Sequence, residues 1–324
     1  MTANLDRSAY PDNASARDEW IVRHRPPRNQ VSADRPYASI VEDEMGAGGE
    51  VQPVATIFLT NRECPYRCVM CDLWQNTLTE SAPTGAIAQQ IDIALKALPS
   101  AAVVKLYNSG SFFDHRAIPV DDYPEIAARL AGFERVIVEC HPALVGTDME
   151  RFRDLLDGEL EVAMGLETAH PDVLAKLNKR MTLESYAAAA TRLRDAGVAS
   201  RAFVLVQPPF LDAGEAVHWT VQSALFAFEQ GAGAVSVIPV RGGNGALEAL
   251  AATGEFIPPT LDTIEAAFDA TLVLGRGRVF ADTWDIGRFS TCAHCAAQRA
   301  ERLRAMNLTQ QPIPPVPCPE CRTG

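Results

Sequence analysis

The chain has 324 residues and a formal net charge of −12, with 47% hydrophobic and 22% charged residues. That length accommodates one α/β barrel of ordinary size, and the acidic balance excludes a broad electrostatic footprint for nucleic acid while leaving room for a local patch. No apolar run approaches the roughly 20 residues that span a bilayer, and residues 1–18 lack the apolar core of a signal peptide, so a cytoplasmic protein without a membrane partner is expected.

Residues 1–52 are polar, carry prolines and lack sustained periodicity, and so read as an irregular arm. Its one basic run, Arg23-His24-Arg25-Pro26-Pro27-Arg28, reads as a solvated extended stretch. From residue 53 a rhythm begins. Apolar strands are expected at 54–60, 102–107, 135–140, 160–165, 202–206 and 234–238, alternating with helices at 87–98, 123–130, 148–156, 182–196 and 213–230. Thr182 is a suitable N-cap, and Asp212 with Glu215 has the form of a capping box. Gly158, Gly197 and Gly231 close helices where a residue comfortable at positive φ serves best. A helix at 261–274 and a seventh strand at 278–282 complete the pattern. Repeated strand–helix alternation calls for a parallel sheet closed or partly closed into a barrel, whose functional residues lie at the strand C-termini.

Those strand ends are chemically unusual. After the first stand Cys64, Cys68 and Cys71, a C-x3-C-x2-C triplet within Asn61-Arg62-Glu63-Cys64-Pro65-Tyr66-Arg67-Cys68-Val69-Met70-Cys71-Asp72. A cubane 4Fe-4S cluster takes one thiolate per iron, so three cysteines leave the fourth iron free for an exogenous ligand. Zinc would need a distant fourth ligand, because the next histidines, His115 and His141, are far along the chain, and disulfide pairing would leave one cysteine over. The second strand is followed by Asn108-Ser109-Gly110-Ser111-Phe112, a small polar turn that lets backbone approach a ligand. The third ends in Cys140, read as a core residue, and His141.

The fourth strand ends in Gly165-Leu166-Glu167-Thr168, where a carboxylate is able to take both ribose hydroxyls, and Lys179 downstream suits a carboxylate as a point charge. The fifth runs into the stiff Gln207-Pro208-Pro209-Phe210. The sixth reaches Arg241-Gly242-Gly243-Asn244-Gly245, where glycine backbone donors at Gly242 and Gly243 and the Arg241 fork are candidates for adenosine or substrate contact. Asp282, Trp284 and Asp285 are placed to line the substrate end.

The last segment carries Cys292, Cys295, Cys318 and Cys321, two C-x2-C knuckles with 22 residues between them. Four thiolates in two knuckles fit a structural zinc ribbon and equally permit an auxiliary 4Fe-4S cluster, with zinc the commoner use.

The cysteine triplet together with the run from Gly165 to Lys179 resembles the radical S-adenosylmethionine (SAM) superfamily. Within it the run resembles the elongator-type and coproporphyrinogen-dehydrogenase-type branches, with a distant resemblance to the elongator-like group that includes the radical SAM subunit of archaeosine synthase. The resemblance implies a 4Fe-4S cluster on Cys64, Cys68 and Cys71, SAM chelating the free iron through its amino and carboxylate groups, and cleavage to methionine and a 5′-deoxyadenosyl radical. It implies that the Ser109, Gly110, Ser111 turn holds the SAM amino group where the family usually has a Gly-Gly-Glu-like sequence, that Glu167 holds the ribose, and that Lys179 pairs with the SAM carboxylate. An electron donor such as ferredoxin or flavodoxin, and a modified nucleoside or tRNA base as substrate, with tRNA or a partner subunit engaged, belong to the same picture. The expected architecture is a partial (βα)6 TIM-type barrel over residues 53–285, between the arm of 1–52 and a metal-binding tail of 286–324. The competing reading is a non-catalytic zinc or iron-sulfur adapter that engages a partner or nucleic acid through the four tail cysteines.

Overall fold

The computed structural model describes residues 10–321. In chain order the elements are α1 (Ala14–His24), β1 (Ala38–Met45), β2 (Val51–Phe58), α2 (Ala86–Ala97), β3 (Val103–Tyr107), α3 (Tyr123–Arg129), β4 (Arg135–Cys140), α4 (Thr147–Arg153), β5 (Glu159–Glu167), α5 (Pro171–Lys176), α6 (Leu183–Asp195), β6 (Ala199–Val206), α7 (Ala216–Glu229), β7 (Ala234–Pro239), α8 (Ala246–Ala252), α9 (Leu261–Leu272), β8 (Arg278–Ala281) and α10 (Ala296–Thr309). The strands form one eight-stranded sheet in sequence order, antiparallel between β1 and β2 and parallel from β2 to β8, curled into a partial barrel.

Strand alternation sorts the residues into two layers. Val104 and Leu106 point outward with Ile57, Val136, Val138 and Val162, and they meet Ile87, Ile91, Tyr123, Phe152, Leu193 and Phe268 from the helices in the main core. Each such side chain contributes roughly 1.5–3 kcal/mol when fully buried, so this layer carries most of the fold's stability. Their neighbours Val103 and Tyr107 turn the other way and cluster with Val54, Ile137, Ala163 and Phe203 inside the barrel. Below this inner cluster the lumen is floored by charge: Arg201, 2% exposed, meets Glu161 at 2.8 Å and Glu44 at 2.6 Å, and Lys105 also reaches Glu44. Every one of these buried charges has an opposite partner, as burial demands.

The sheet does not close on itself. Helix α10 packs against both β1 and β8 and so covers the seam. Two side-chain amides satisfy the β8 edge: Asn307 exchanges 2.8 Å hydrogen bonds with Ala281 N–H and C=O, and Gln310 does the same with Val279 at 2.8 and 2.9 Å. An edge strand that would otherwise present free backbone groups is thereby blocked.

The structure corrects the sequence reading in several places. The arm holds helix α1, whose Trp20 and Ile21 are buried, and strand β1, whose pairing adds an eighth strand to the expected pattern; residues 1–9 lie outside the described residues. Polar residues hid these elements because α1 buries only a narrow stripe and β1 is a half-exposed edge. The tail includes α10, which is part of the barrel wall. Asp212 caps a short 3-10 turn through Gly214 N–H, and α7 starts only after Glu215, so the expected capping box is absent there, whereas Thr182 and Ser185 form a reciprocal one at α6. Gly197 and Gly231 adopt positive φ as expected. Gly158 does not; it is needed for close approach, since a Cβ there would lie 2.2 Å from the Phe133 carbonyl oxygen.

Candidate active site

The loop between β2 and α2 carries Cys64, Cys68 and Cys71 at the C-terminal end of the barrel, and its backbone is tied down from several sides. Arg67 donates to Cys64 O at 2.6 Å, Asn178 Nδ2 to Arg67 O at 2.7 Å, and Val69 N–H to Leu177 O at 3.0 Å. Asn244 Nδ2, just before α8, donates to Val69 O at 2.8 Å and to Cys71 O at 3.2 Å, while Trp74 Nε1 reaches the same Cys71 carbonyl at 3.1 Å. All three thiols are free, and burial raises each above its ordinary value, Cys68 to about 12. A buried thiol of this kind becomes a thiolate by taking up a metal.

Two arginines of the basic run are not solvated. Arg25 meets Glu63 at 2.8 Å and lies over the Trp74 ring at 4.4 Å, and Arg28 also pairs with Glu63. The expectation of a free extended arm fails because Glu63, beside Cys64, offers both guanidinium groups a half-buried anion.

The turn after β3 lies against this loop. A side chain at Gly110 would press on Cys64 Cβ at 3.2 Å, so glycine is what permits the approach. Ser109 is held at φ 55° and bonds Tyr37 through its hydroxyl at 3.1 Å, and Ser111 Oγ accepts from His141 N–H at 2.8 Å. Beneath the turn, Glu139 of β4 accepts from Asn108 N–H at 2.6 Å and from Gly110 N–H at 3.3 Å. Burial pushes its carboxyl up to about 7 despite those backbone donors. The Asn108 side-chain amide is buried with neither atom partnered. His141 stacks on Tyr66 at 3.7 Å; Nε2–H donates to Lys179 O at 2.9 Å and Nδ1 accepts from Ala143 N–H. Burial and the nearby Lys179 push His141 down to about 3, so it stays neutral and serves to orient Lys179.

Glu167 ends β5 at φ 67°, where the pairing with β6 shifts register, and Lys179 Nζ donates to Glu167 Oε1 at 2.6 Å in a buried pair. Burial opposes the lysine's charge, but Glu167 outweighs it and holds Lys179 above its ordinary value. Gly165 lies beneath the pair: a Cβ would fall 2.2 Å from Glu167 Oε1 and 2.5 Å from Lys179 Nζ. The two residues assigned separately to ribose and carboxylate are thus next to one another. Positive φ recurs at Ser109, Glu167 and Gln207, after β3, β5 and β6, so backbone strain collects on one rim of the barrel, the place where functional sites store it.

The glycine turn after β7 behaves differently from expectation. Gly243 N–H and Gly245 N–H are both taken by the Glu248 carboxylate at 2.6 and 2.7 Å, and Arg241 is engaged by Asp282 at 2.8 Å and by Trp284 O at 2.5 Å. Those donors cap α8 and brace the rim; the working residue of the segment is Asn244. Cys140 is buried, and its thiol donates to His141 O at 3.2 Å, in keeping with a core position.

Above the charged floor the lumen wall is aromatic. Tyr37 and Phe58 are 5.6 Å apart, Phe58 and Tyr107 6.3 Å, Tyr107 and Phe203 6.1 Å, and Trp284 approaches Phe58 at 6.1 Å while remaining 56% exposed. Phe58, Tyr107 and Phe203 are only half-buried although each lies within or at the end of a strand, so the lumen they face is open.

The tail cysteines form a separate centre. Cys292 and Cys318 Sγ are 3.8 Å apart, Cys295 and Cys321 Sγ 3.5 Å, and all four sulfurs lie within 4.8 Å of one another. Among the described residues this is the one group of metal-ligating side chains gathered so closely.

Residues 58–214 match the radical SAM superfamily. An uncharacterized protein of Methanocaldococcus jannaschii is 25% identical over 311 residues, spanning 89% of this chain and 85% of its own. Archaeosine synthase subunit beta of Methanosarcina acetivorans is 24% identical over 308 residues, 90% of this chain and 88% of that one. Among solved structures, Elp3 of Methanocaldococcus infernus superposes with a TM-score of 0.51 at 13% identity, over 70% of this chain and 59% of the other. A radical SAM methyltransferase of Sphaerobacter thermophilus does so with 0.50 at 14% identity, over 87% and 84%. The two structures establish a shared fold. Among the described residues no helix is long and apolar enough to cross a membrane.

Proposed function

The chain belongs to the radical SAM superfamily as a distant homologue of archaeosine synthase subunit beta, and from that premise we propose that it abstracts hydrogen from a planar, base-like substrate, a modified nucleoside or a base within tRNA. The observation that carries the catalytic part is the triplet: three partly buried cysteines on a braced loop at the barrel mouth, with Gly110 against Cys64 and the Glu167–Lys179 pair on the same rim. Cys64, Cys68 and Cys71 would hold a 4Fe-4S cluster, which when bound would supply the electron for reductive cleavage of SAM to a 5′-deoxyadenosyl radical. The residues divide the binding of SAM among them. The Ser109–Gly110–Ser111 turn, steadied by Glu139, offers main-chain atoms to the amino group. Lys179 exchanges its Glu167 partner for the SAM carboxylate, which frees Glu167 for the ribose hydroxyls. Gly242 contributes shape to the rim, since the donor of Gly243 is already engaged.

The aromatic wall supports the substrate class, because Tyr107 and Phe203 present half-buried ring surface on which a flat heterocycle stacks. The relatives point the same way, one of them named for making a modified nucleoside. The electron comes from a ferredoxin- or flavodoxin-type donor, and a reducing cytoplasm suits both cysteine groups. In the tail we assign zinc: a tetrahedron with metal–sulfur bonds of about 2.3 Å has edges of about 3.8 Å, near the two sulfur separations here, while a cube of irons needs a wider set. Membership in an enzyme superfamily displaces the adapter reading, which accounted for the tail and left the triplet without a role.

The test is anaerobic reconstitution with iron and sulfide, reduction, and detection of 5′-deoxyadenosine from SAM, with its yield compared with and without modified-base tRNA. Absence of 5′-deoxyadenosine overturns the reaction. A yield indifferent to tRNA and to free nucleosides overturns the substrate class alone.

A further inference from the structure

The cysteine loop is gripped by a segment outside the part of the chain that matches the superfamily, residues 58–214. Residues 25–29 leave α1 in extended conformation, with Arg25 at φ −64° and ψ 131°. Pro26 and Pro27 hold such a chain in a polyproline-type path of three residues per turn, which places positions 25 and 28 on one side. Both guanidinium groups accordingly meet the same carboxylate, Glu63, the residue before Cys64. Arg67, within the loop, joins them at 2.9 Å.

The same two arginines also reach the far side of the triplet. Arg28 donates to Trp74 O and to Thr77 Oγ1, each at 2.7 Å, Arg25 covers the Trp74 ring, and Asn29 N–H donates to Gln75 O at 2.9 Å. Trp74 in turn holds Cys71 O. The segment therefore spans the loop from the residue before the first cysteine to the turn after the last. Opposite it, Asn244 fixes Val69 O and Cys71 O, and the two jaws touch: a Cβ at Gly245, which is at φ 82°, would fall 1.8 Å from His24 O, so only glycine lets the end of α1 cross there.

We infer that residues 25–29 and Asn244–Gly245 form a clasp that positions the three cysteines, with Arg25 and Arg28 as positioning residues for the cluster. The inference rests on the triplet's being the cluster site, and its first readout does not need the cluster. Side chains on a mobile loop would have to be ordered by the metal itself; here the Glu63 carboxylate, desolvated beside its partners, orders the loop beforehand. The clasp also leaves net positive charge beside Cys64, three arginines against one glutamate, which favours the more negative, reduced state of a cluster there.

The experiment compares full-length wild type with Arg25→Ala, Arg28→Ala and Glu63→Gln, each with and without iron. Hydrogen exchange should quicken about tenfold in residues 61–77 and stay unchanged in β4 to β6, in the iron-free chain as well. In the reconstituted chain the cluster midpoint potential should move down in Arg28→Ala and up in Glu63→Gln, because one change removes a positive and the other a negative charge. Unchanged exchange at 61–77, exchange quickened evenly through the barrel, or potentials that do not part in sign would each overturn the clasp. Failure of wild type to bind iron, with the loop loosened as expected, would count against the cluster site and leave the mechanical clasp standing.

Discussion

The two cysteine groups of this chain are built on opposite plans. The tail group has four cysteines able to hold one ion, sulfurs 3.5 and 3.8 Å apart across its knuckles, a set that would close the ion's coordination. The mouth group has three ligands, spread on a loop whose backbone is fixed by Asn178, Asn244, Arg67 and Trp74. In the tail a metal is expected to organise a short segment; at the mouth the proposed clasp is expected to organise the cysteines before any metal arrives. A closed site needs little support because the ion satisfies every thiolate, whereas a site that keeps one position free must have its geometry enforced by the fold.

The sharpest way to break that contrast is to remove one thiol from each group. Cys68→Ala should abolish cluster absorbance and 5′-deoxyadenosine formation completely while the tail retains its metal, as read by metal analysis of the same sample. Loss of both metals together would show that the groups are not independent.

Next in size is the buried Glu167–Lys179 pair at the mouth. Lys179→Met leaves the Glu167 charge buried and alone, and should lower stability by about 3 kcal/mol in chemical denaturation. Adding Glu167→Gln should return most of that loss without restoring SAM binding, which equilibrium dialysis checks. Persistent instability in the double variant would mean the pair's packing matters more than its charge.

A smaller effect is expected in the tail. Cys318→Ser should release the tail metal, identified as zinc, and lower stability by on the order of 2 kcal/mol. Helix α10 is also anchored by Arg299 to Glu265, by Arg302 to Asp269 at 2.7 Å, and by the Asn307 amide on β8, so the barrel should stay folded and form 5′-deoxyadenosine. Iron in place of zinc would refute the one-ion assignment.

A last test, confined to one pH window, concerns Glu139. Its folded pKa, about 7, is above the unfolded value near 4.5, so the native state holds its proton more tightly. Between those two values stability falls as pH rises, and the loss levels off above about 7. Glu139→Gln keeps an acceptor for Asn108 N–H, and the difference in stability between wild type and variant should therefore vary across that window and be flat outside it.

Much of the site was readable along the chain because its signals are local. Cysteine spacing, a small-residue turn and a carboxylate after an apolar strand each lie within a few residues, and apolar runs alternating with helical patterns placed them at strand ends. Glu139 carried a signal that went unused, a lone charge in the apolar run Val136-Ile137-Val138-Glu139-Cys140. The errors share a cause. Arg25 and Arg28 looked solvated because their partner Glu63 is more than thirty residues away, and the donor at Gly243 looked free because Glu248 folds back onto it only once α8 forms.

By itself, then, the sequence determined the alternating α/β plan, the two cysteine groups and their ligand counts, since these follow from periodicity and spacing. Only the tertiary structure decided that α1 and residues 25–29 belong to the cysteine loop, that Glu167 and Lys179 pair, that α10 covers the seam, and that the lumen is aromatic above a charged floor. Each of these depends on which distant groups come within a few ångströms of one another, and such distances are set by how the strands register and curl.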